Sequence, residues 1–156
     1  MTRWLDDDEL RAWLKLAGVM LKLGPALDSQ LQRDSELTHF DYLCLAMLSE
    51  AEDRTLRMSE LAHRVNASLS RLSHVVKKLE TRGWIIRFPC AESRRVTMAR
   101  LTDAGWDVLV DAAPGHVETV RSLVFDGLSA GDVAALERIA GQVVERIDAA
   151  GLRTVD

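Results

Sequence analysis

The chain has 156 residues, 47% hydrophobic and 28% charged, enough apolar content to bury one core and too much for intrinsic disorder. Its formal net charge is −4, and no stretch approaches the roughly eighteen uncharged residues of a membrane helix. The opening MTRWLDDDEL carries acids where a secretory signal carries a basic region, so the chain reads as one cytoplasmic domain, 1–156, with no membrane segment.

In chain order, the acids Asp6 to Glu9 open a helical pattern, where the helix dipole favours them. Apolar residues follow at Leu10, Trp13, Leu14, Ala17, Met20 and Leu21, and resume at Leu27 and Leu31. Gly24-Pro25 predicts a kink or break between the two runs. Thr38 and Asp41 form a capping-box pattern at the start of a second helix. Ser59 is the expected cap of a third, SELAHRV, which ends near Asn66. Ser68 caps a fourth, Leu69 to about Arg82, with Gly83 as its stop. WIIRF and VTMARL then read as two strands of a hairpin around the charged loop PCAESRR. Thr102-Asp103 opens a helix running to about Asp126, which Pro114-Gly115 is expected to interrupt. Ser129 and Asp132 cap the last helix, which Gly151 stops. The predicted order is α-α-α-α-β-β-α-α.

Charge is unevenly distributed along this order. Residues 54–100 hold eleven Lys/Arg against three acids, a net of +8, while the rest holds nine basic residues against twenty-one acids. Such a split implies a basic functional face on an acidic scaffold. The last helix also carries a wide apolar stripe, Val133, Leu136, Ile139, Val143, Val144 and Ile147. A stripe wider than one neighbour needs predicts burial against a second copy, a homodimer.

The fourth helix carries the function. At 100° per residue, Leu69, Leu72, Val75, Val76 and Leu79 share one arc, and Ser70, His74, Lys77 and Thr81 lie opposite, flanked by Arg71, Ser73 and Lys78. Leu61, Ala62 and Val65, a turn at Asn66-Ala67, then Leu72 and Val75 fit the packing of a helix-turn-helix. A basic hairpin follows, which makes the pattern a winged helix-turn-helix. Short hydroxyls, Lys and Arg are the groups that bind phosphates, and an inserted helix reads base edges in the major groove. The expected DNA-binding residues are therefore Ser68, Ser70, Arg71, Ser73, His74 and Lys77 on the helix, with Arg94 and Arg95 at the hairpin tip.

The run LRMSELAHRVNASLSRLSHVVKKLETRGWIIRFPCAESRRVTMARLTDAG resembles the MarR family of bacterial winged-helix transcriptional regulators. The resemblance extends outward through ELTHFDYLCLAMLSEA and SLVFDGLSAGDV. It implies a mainly α fold with a small β-hairpin wing, in which a DNA-binding lobe (36–101) is flanked by dimerisation helices (1–35 and 102–156). It implies a homodimer on double-stranded DNA at a pseudo-palindromic operator, acting as a repressor, with recognition helix 69–82 in the major groove and wing 88–96 in the minor groove. Arg95 falls where the family's minor-groove arginine sits. The family usually has Asp two residues earlier; Ser93 stands there instead, with Glu92 beside it. Many members release DNA on binding a small phenolic or lipophilic ligand between the lobe and the dimer helices. Trp13, His39 and Tyr42 are the candidate pocket residues.

Two other classes remain open beside this reading. One is a winged helix used for protein contacts, the other a cysteine redox-sensing regulator. Cys44 and Cys90 lie in no paired motif, and no cysteine precedes Cys44. His39, His63, His74 and His116 form no metal-binding or catalytic spacing, and no Gly-rich phosphate loop is present. The sequence thus predicts no catalytic residue, no metal site and no cofactor.

Overall fold

In the computed structural model the described residues are 1–151; the remaining five of the predicted C-terminal segment, 152–156, lie outside them. Six helices and a three-stranded sheet follow in the order α1 (Asp7–Ser35), α2 (His39–Ser49), β1 (Thr55–Arg57), α3 (Met58–Arg64), α4 (Leu69–Thr81), β2 (Ile85–Pro89), β3 (Thr97–Leu101), α5 (Asp103–Val120) and α6 (Ala130–Ala149). A 3₁₀ turn at Glu52–Arg54 precedes β1, and a π turn at Arg121–Phe125 follows α5. The sheet is antiparallel in the order β1-β3-β2, with Leu56 opposite Ala99 and Arg87 opposite Ala99 from the other side.

The predicted caps at Thr38, Ser68 and Ser129 form, and Asp6 adds one that was not foreseen. Asp6, Thr38 and Ser129 each close a capping box, with Glu9, Asp41 and Asp132 respectively. Ser68 caps α4 by accepting from the Arg71 N–H at 3.1 Å. Asn66 (φ 49°) and Gly83 (φ 76°) take the left-handed conformation that the turns on either side of α4 require.

Four local expectations are corrected. α1 runs unbroken through Pro25, and α5 through Pro114. Both prolines sit on exposed helix faces, where water can satisfy the carbonyl that each ring leaves unpaired. Ser59 does not cap α3: β1 feeds directly into that helix, so Arg57 takes the N-cap position with extended backbone, and no side chain caps it. Leu69, placed on the buried arc, is 54% exposed because the first residue of α4 stands clear of the core. The strand β1 itself adds to the predicted order.

The core gathers Leu31, Leu37, Leu45, Leu48, Leu61, Leu72, Val76, Leu79 and Ile85, nearly all fully buried. Each such side chain contributes roughly 1.5–3 kcal/mol on burial, so α4 is held by one face alone and its other face is free for polar groups. The junction to α5 is tight. A Cβ added at Gly105 would lie 2.2 Å from the Trp84 carbonyl oxygen, and Thr102 donates to the carbonyls of Gly83 and Trp84. This clamp fixes the sheet against α5, which packs along α1.

The ends behave differently. α6 buries no residue at all, and α1 buries only Leu27, Gln30 and Leu31, in its second half. Among the described residues, every exposed large hydrophobic except Leu69 and Ile86 lies before residue 22 or after residue 105. No helix among the described residues is long and apolar enough to cross a membrane.

Candidate nucleic-acid interface

Because Leu72, Val76 and Leu79 are fully buried, helical geometry turns Ser70, His74, Lys77 and Thr81 outward, and all four are exposed. At the start of α4, Ser68 Oγ accepts the Arg71 N–H, leaving its own O–H to donate outward. The first two N–H groups of the helix have no intrahelical partner, and together they make an anion-binding terminus.

The two flanks of this face are tied down. On the α2 side, the Arg71 guanidinium lies 4.4 Å over the Phe40 ring, and Lys78 Nζ is 2.6 Å from the nearly buried Asp41 carboxylate. On the wing side, Ser73 is half-buried and accepts from Arg87 at 3.5 Å, and Glu80 pairs with the same arginine. Arg71 and Ser73 therefore border the outward face, whereas Ser70, His74 and Lys77 are its centre.

At the wing, β2 and β3 are joined through 90–96. The loop is closed by backbone bonds: Cys90 N–H to Val96 O, Ser93 N–H to Cys90 O, and Val96 N–H to Ser93 O. Arg94 and Arg95 project from it, exposed, and neither has an ion-pair partner among the described residues. Ser93 thus shapes the loop with its backbone, and Glu92 does not pair with Arg95.

Sorting the cations of 54–100 by partner shows which have neither an ion pair nor a ring contact. Arg54 stacks on Trp106 and pairs with Asp103, and Arg64 pairs with Glu60. Arg82 stacks on Trp84, and Arg100 on Phe88. With Arg71, Lys78 and Arg87 also engaged, the unpartnered cations among the described residues are Arg57, Lys77, Arg94 and Arg95. Arg57 was not foreseen. Its strand is three residues long, too short to show alternation, and its register opposite Met98 sets it near the wing end of β3.

A second cluster lies where α1, α2 and α5 meet. The Tyr42 and His116 rings are 4.3 Å apart, the His39 and His116 rings 5.7 Å, and the His39 N–H donates to Asp28 at 2.8 Å. Burial lowers the pKa of both histidines, and their mutual repulsion lowers that of His116 further. Gln30 and His116 are buried, yet Gln30 Oε1 and His116 Nδ1 have no hydrogen-bond partner. On the His39 side of the cluster a cleft of about 410 Å³ is lined by Gly24, Pro25, Asp28, His39, Phe40, Leu43 and Arg71. His39 and Tyr42 thus come together, and Gln30 and His116 join them unforeseen. The only signal for these two was a polar residue between apolar Leu27 and Leu31 and a histidine after Pro114-Gly115. Trp13 stands apart, exposed, fifteen residues before Asp28 and so roughly 22 Å along the helix. Cys44 is buried, which pushes its thiol up to about 12 and keeps it protonated and unreactive at neutral pH.

The MarR family model matches residues 37–97, the stretch that contains α2 to the start of β3. The chain is 41% identical to Sco3205, a MarR family transcriptional regulator from Streptomyces coelicolor whose crystal structure is in complex with DNA. The two superpose with a TM-score of 0.90 over 94% of this chain and 92% of that one. AbsC, a MarR family transcriptional regulator from the same organism, is 36% identical, with a TM-score of 0.89 over 95% of this chain and 99% of that one. The transcriptional repressor MprA of Escherichia coli (strain K12) is 27% identical over 107 residues, 69% of this chain; the chain spans about 60% of the length of that curated relative.

Proposed function

The chain belongs to the MarR family, and on that premise we propose that it is a DNA-binding transcriptional regulator, a repressor, acting as a homodimer on a pseudo-palindromic operator. The observation that carries this is the outward face of α4, where Ser70, His74 and Lys77 are exposed above a fully buried core face. The helix enters the major groove with its N-terminus against a phosphate, its side chains reaching base edges. The wing carries Arg94 and Arg95 into the adjacent minor groove. Ser68 and Arg71 contact the backbone at the rim, and Ser73 lies on the wing side.

Residues 36–101 form the DNA-binding lobe; 1–35 and 102–156 form the dimer. The support for the dimer is the uncovered apolar surface of α1 and α6, which a second copy would bury. No step of this function calls for a catalytic residue, metal or cofactor, and the protein acts in the cytoplasm, on double-stranded DNA.

Electrophoretic retardation of the DNA upstream of its own gene tests the reading, with affinity measured from 50 to 200 mM salt. Steep loss of affinity with salt is the expected result. A winged helix that served protein contacts would give no retardation even at low salt, which would refute the regulator reading.

A second reading concerns control. The open cleft at Asp28 and His39, with the unpartnered His116 Nδ1 on the ring packed against His39, favours a small phenolic or lipophilic effector there. It would lie between α1, α2 and Arg71 of α4 and bias the dimer toward a spacing of the two α4 helices that no longer matches successive major grooves. Trp13 is too far along α1 to line this cleft in its own protomer. The corresponding test is loss of retardation on adding a phenolic acid such as salicylate, with retardation persisting in a His39→Leu variant.

A further inference from the structure

Arg87 sits in the middle of β2, on the same strand face as the buried Ile85 and so toward α4. Its Nε and Nη2 donate to Glu80 Oε2 at 3.2 and 2.8 Å. Its backbone N–H donates to Glu80 Oε1 at 3.2 Å, and its Nη1 reaches Ser73 Oγ at 3.5 Å. One carboxylate therefore takes three bonds from a single residue, two of them a planar fork. That geometry separates this pair from an ordinary mobile surface ion pair. Because β2 is an edge strand, the Arg87 N–H faces away from β3, and Glu80 caps it. Hydrogen bonding from Arg87 holds the Glu80 carboxyl below the usual carboxylate range.

This pair lies at the root of the wing, and nothing comparable lies at its tip. Past Arg87 the hairpin is held by its own ladder, by the Arg100 guanidinium stacked on Phe88 and by the backbone bonds of the 90–96 loop, while Arg94 and Arg95 carry no ion pair among the described residues. The tip extends roughly 10 Å beyond Arg87 at about 3.3 Å per residue. A swing of about 15° at the root would move it by roughly 3 Å, half of the ~6 Å width of the minor groove.

We propose that Glu80 and Arg87 are positioning residues, a clasp between recognition helix and wing that sets the wing angle at which Arg94 and Arg95 meet the minor groove. The proposal rests on the DNA-binding reading. Glu80 is the acid at the edge of an otherwise acid-free helix face, and the clasp is its function: it fixes Arg87 at the expense of one negative charge near DNA.

The sign of one variant decides the matter. Were Glu80 only a surface charge, Glu80→Gln would remove an anion from beside the phosphates and tighten binding. The clasp demands the opposite. A held pair of this exposure couples by a factor of about two to five, and with two wings per dimer the loss is roughly four- to twenty-five-fold. The DNA probe is a duplex selected from a random-sequence pool by the wild-type protein. Hydroxyl-radical footprinting of Glu80→Gln should show lost minor-groove protection at the flanks and retained protection over the central major-groove contacts. Amide exchange of the free protein, which needs no DNA, should quicken over 87–97 with the melting temperature lowered by no more than about 4 °C. The double variant Glu80→Arg/Arg87→Glu should restore both. Equal or tighter binding by Glu80→Gln, uniform loss across the footprint, or unaltered wing exchange would each overturn the clasp while leaving the DNA-binding reading intact. Failure of the wild-type protein to select any duplex would overturn that reading, and the clasp with it.

Discussion

Lys77→Ala is the sharpest test of how α4 meets DNA. Lys77 is exposed on the outward face and is one of four cations in the basic segment with no partner among the described residues. On the proposed interface, removing it deletes one phosphate contact per protomer, and two per dimer. Each phosphate neutralised contributes about 0.9 to the slope of log affinity against log salt, so the variant's slope should be shallower by roughly 1.8. Between 50 and 200 mM salt, a fourfold range, the penalty relative to wild type should then shrink by about twelvefold. The loss should be similar on operator and on unrelated duplex, because a phosphate contact carries no sequence information. The fold should be unaffected, within about 0.5 kcal/mol, since the side chain packs on nothing. Fluorescence anisotropy titrations at four salt concentrations supply the slopes. A weakened variant whose slope equals that of wild type would place Lys77 on a base or on protein, not on phosphate. An unweakened variant would remove the outward face of α4 from the interface altogether.

Its neighbour Lys78 should respond in the reverse way. Asp41 is 2% exposed, so Lys78→Met leaves a buried carboxylate without its cation; discounted for the half-exposed lysine, the cost is roughly 1–2 kcal/mol. That is a fall of about 2–8 °C in melting temperature, with little change in salt slope. For pH, the lowered pKa values of His39 and His116 mean that the unfolded chain binds more protons below its own value of 6.5. Stability should be level above about pH 7 and fall as pH drops through 6.5 toward the lower folded values, and a His39→Asn/His116→Asn double variant should flatten melting curves over that window. Leu136→Glu, in the uncovered stripe of α6, should convert a dimer to a monomer in sedimentation velocity and abolish operator retardation.

What could be read from the sequence was what depends on a local signal. Thr38 with Asp41 and Ser129 with Asp132 are three apart, close enough for a cap to be written in four residues, and both caps form. The period of Leu72, Val76 and Leu79 fixes the face of α4, and Asn66 and Gly83 mark its two turns by their tolerance of positive φ. What was not legible depends on partners distant in the chain. β1 pairs with β3 more than forty residues away, and three residues carry no period of their own. Gln30 comes against Gly115, next in the chain to His116, only because α1 packs along α5. Pro25 and Pro114 looked like breaks because proline removes a hydrogen bond, but whether that bond is missed depends on which way the helix faces, and both face water.

The charge count of residues 54–100 shows the same divide between composition and geometry. Composition gives +8, but seven of the eleven cations there are stacked on aromatic rings or paired with carboxylates, from Arg54 on Trp106 to Arg100 on Phe88. Those cations build the lobe: they join the turn before β1 to α5, α4 to α2, and α4 to the wing. The four left over are distributed between the helix face and the wing side of the sheet, which gives the field a direction instead of a general basicity. The rest of the chain is acidic, with Asp6, Asp7, Asp8 and Glu9 at the far end of α1, and would repel DNA presented to it. At physiological salt charges are screened within about 8 Å, so neither effect reaches across the molecule. A duplex should therefore be attracted only where Lys77, Arg94 and Arg95 come within that range together. Their relative placement, which the Glu80–Arg87 pair sets, matters more to binding than the net charge of the chain.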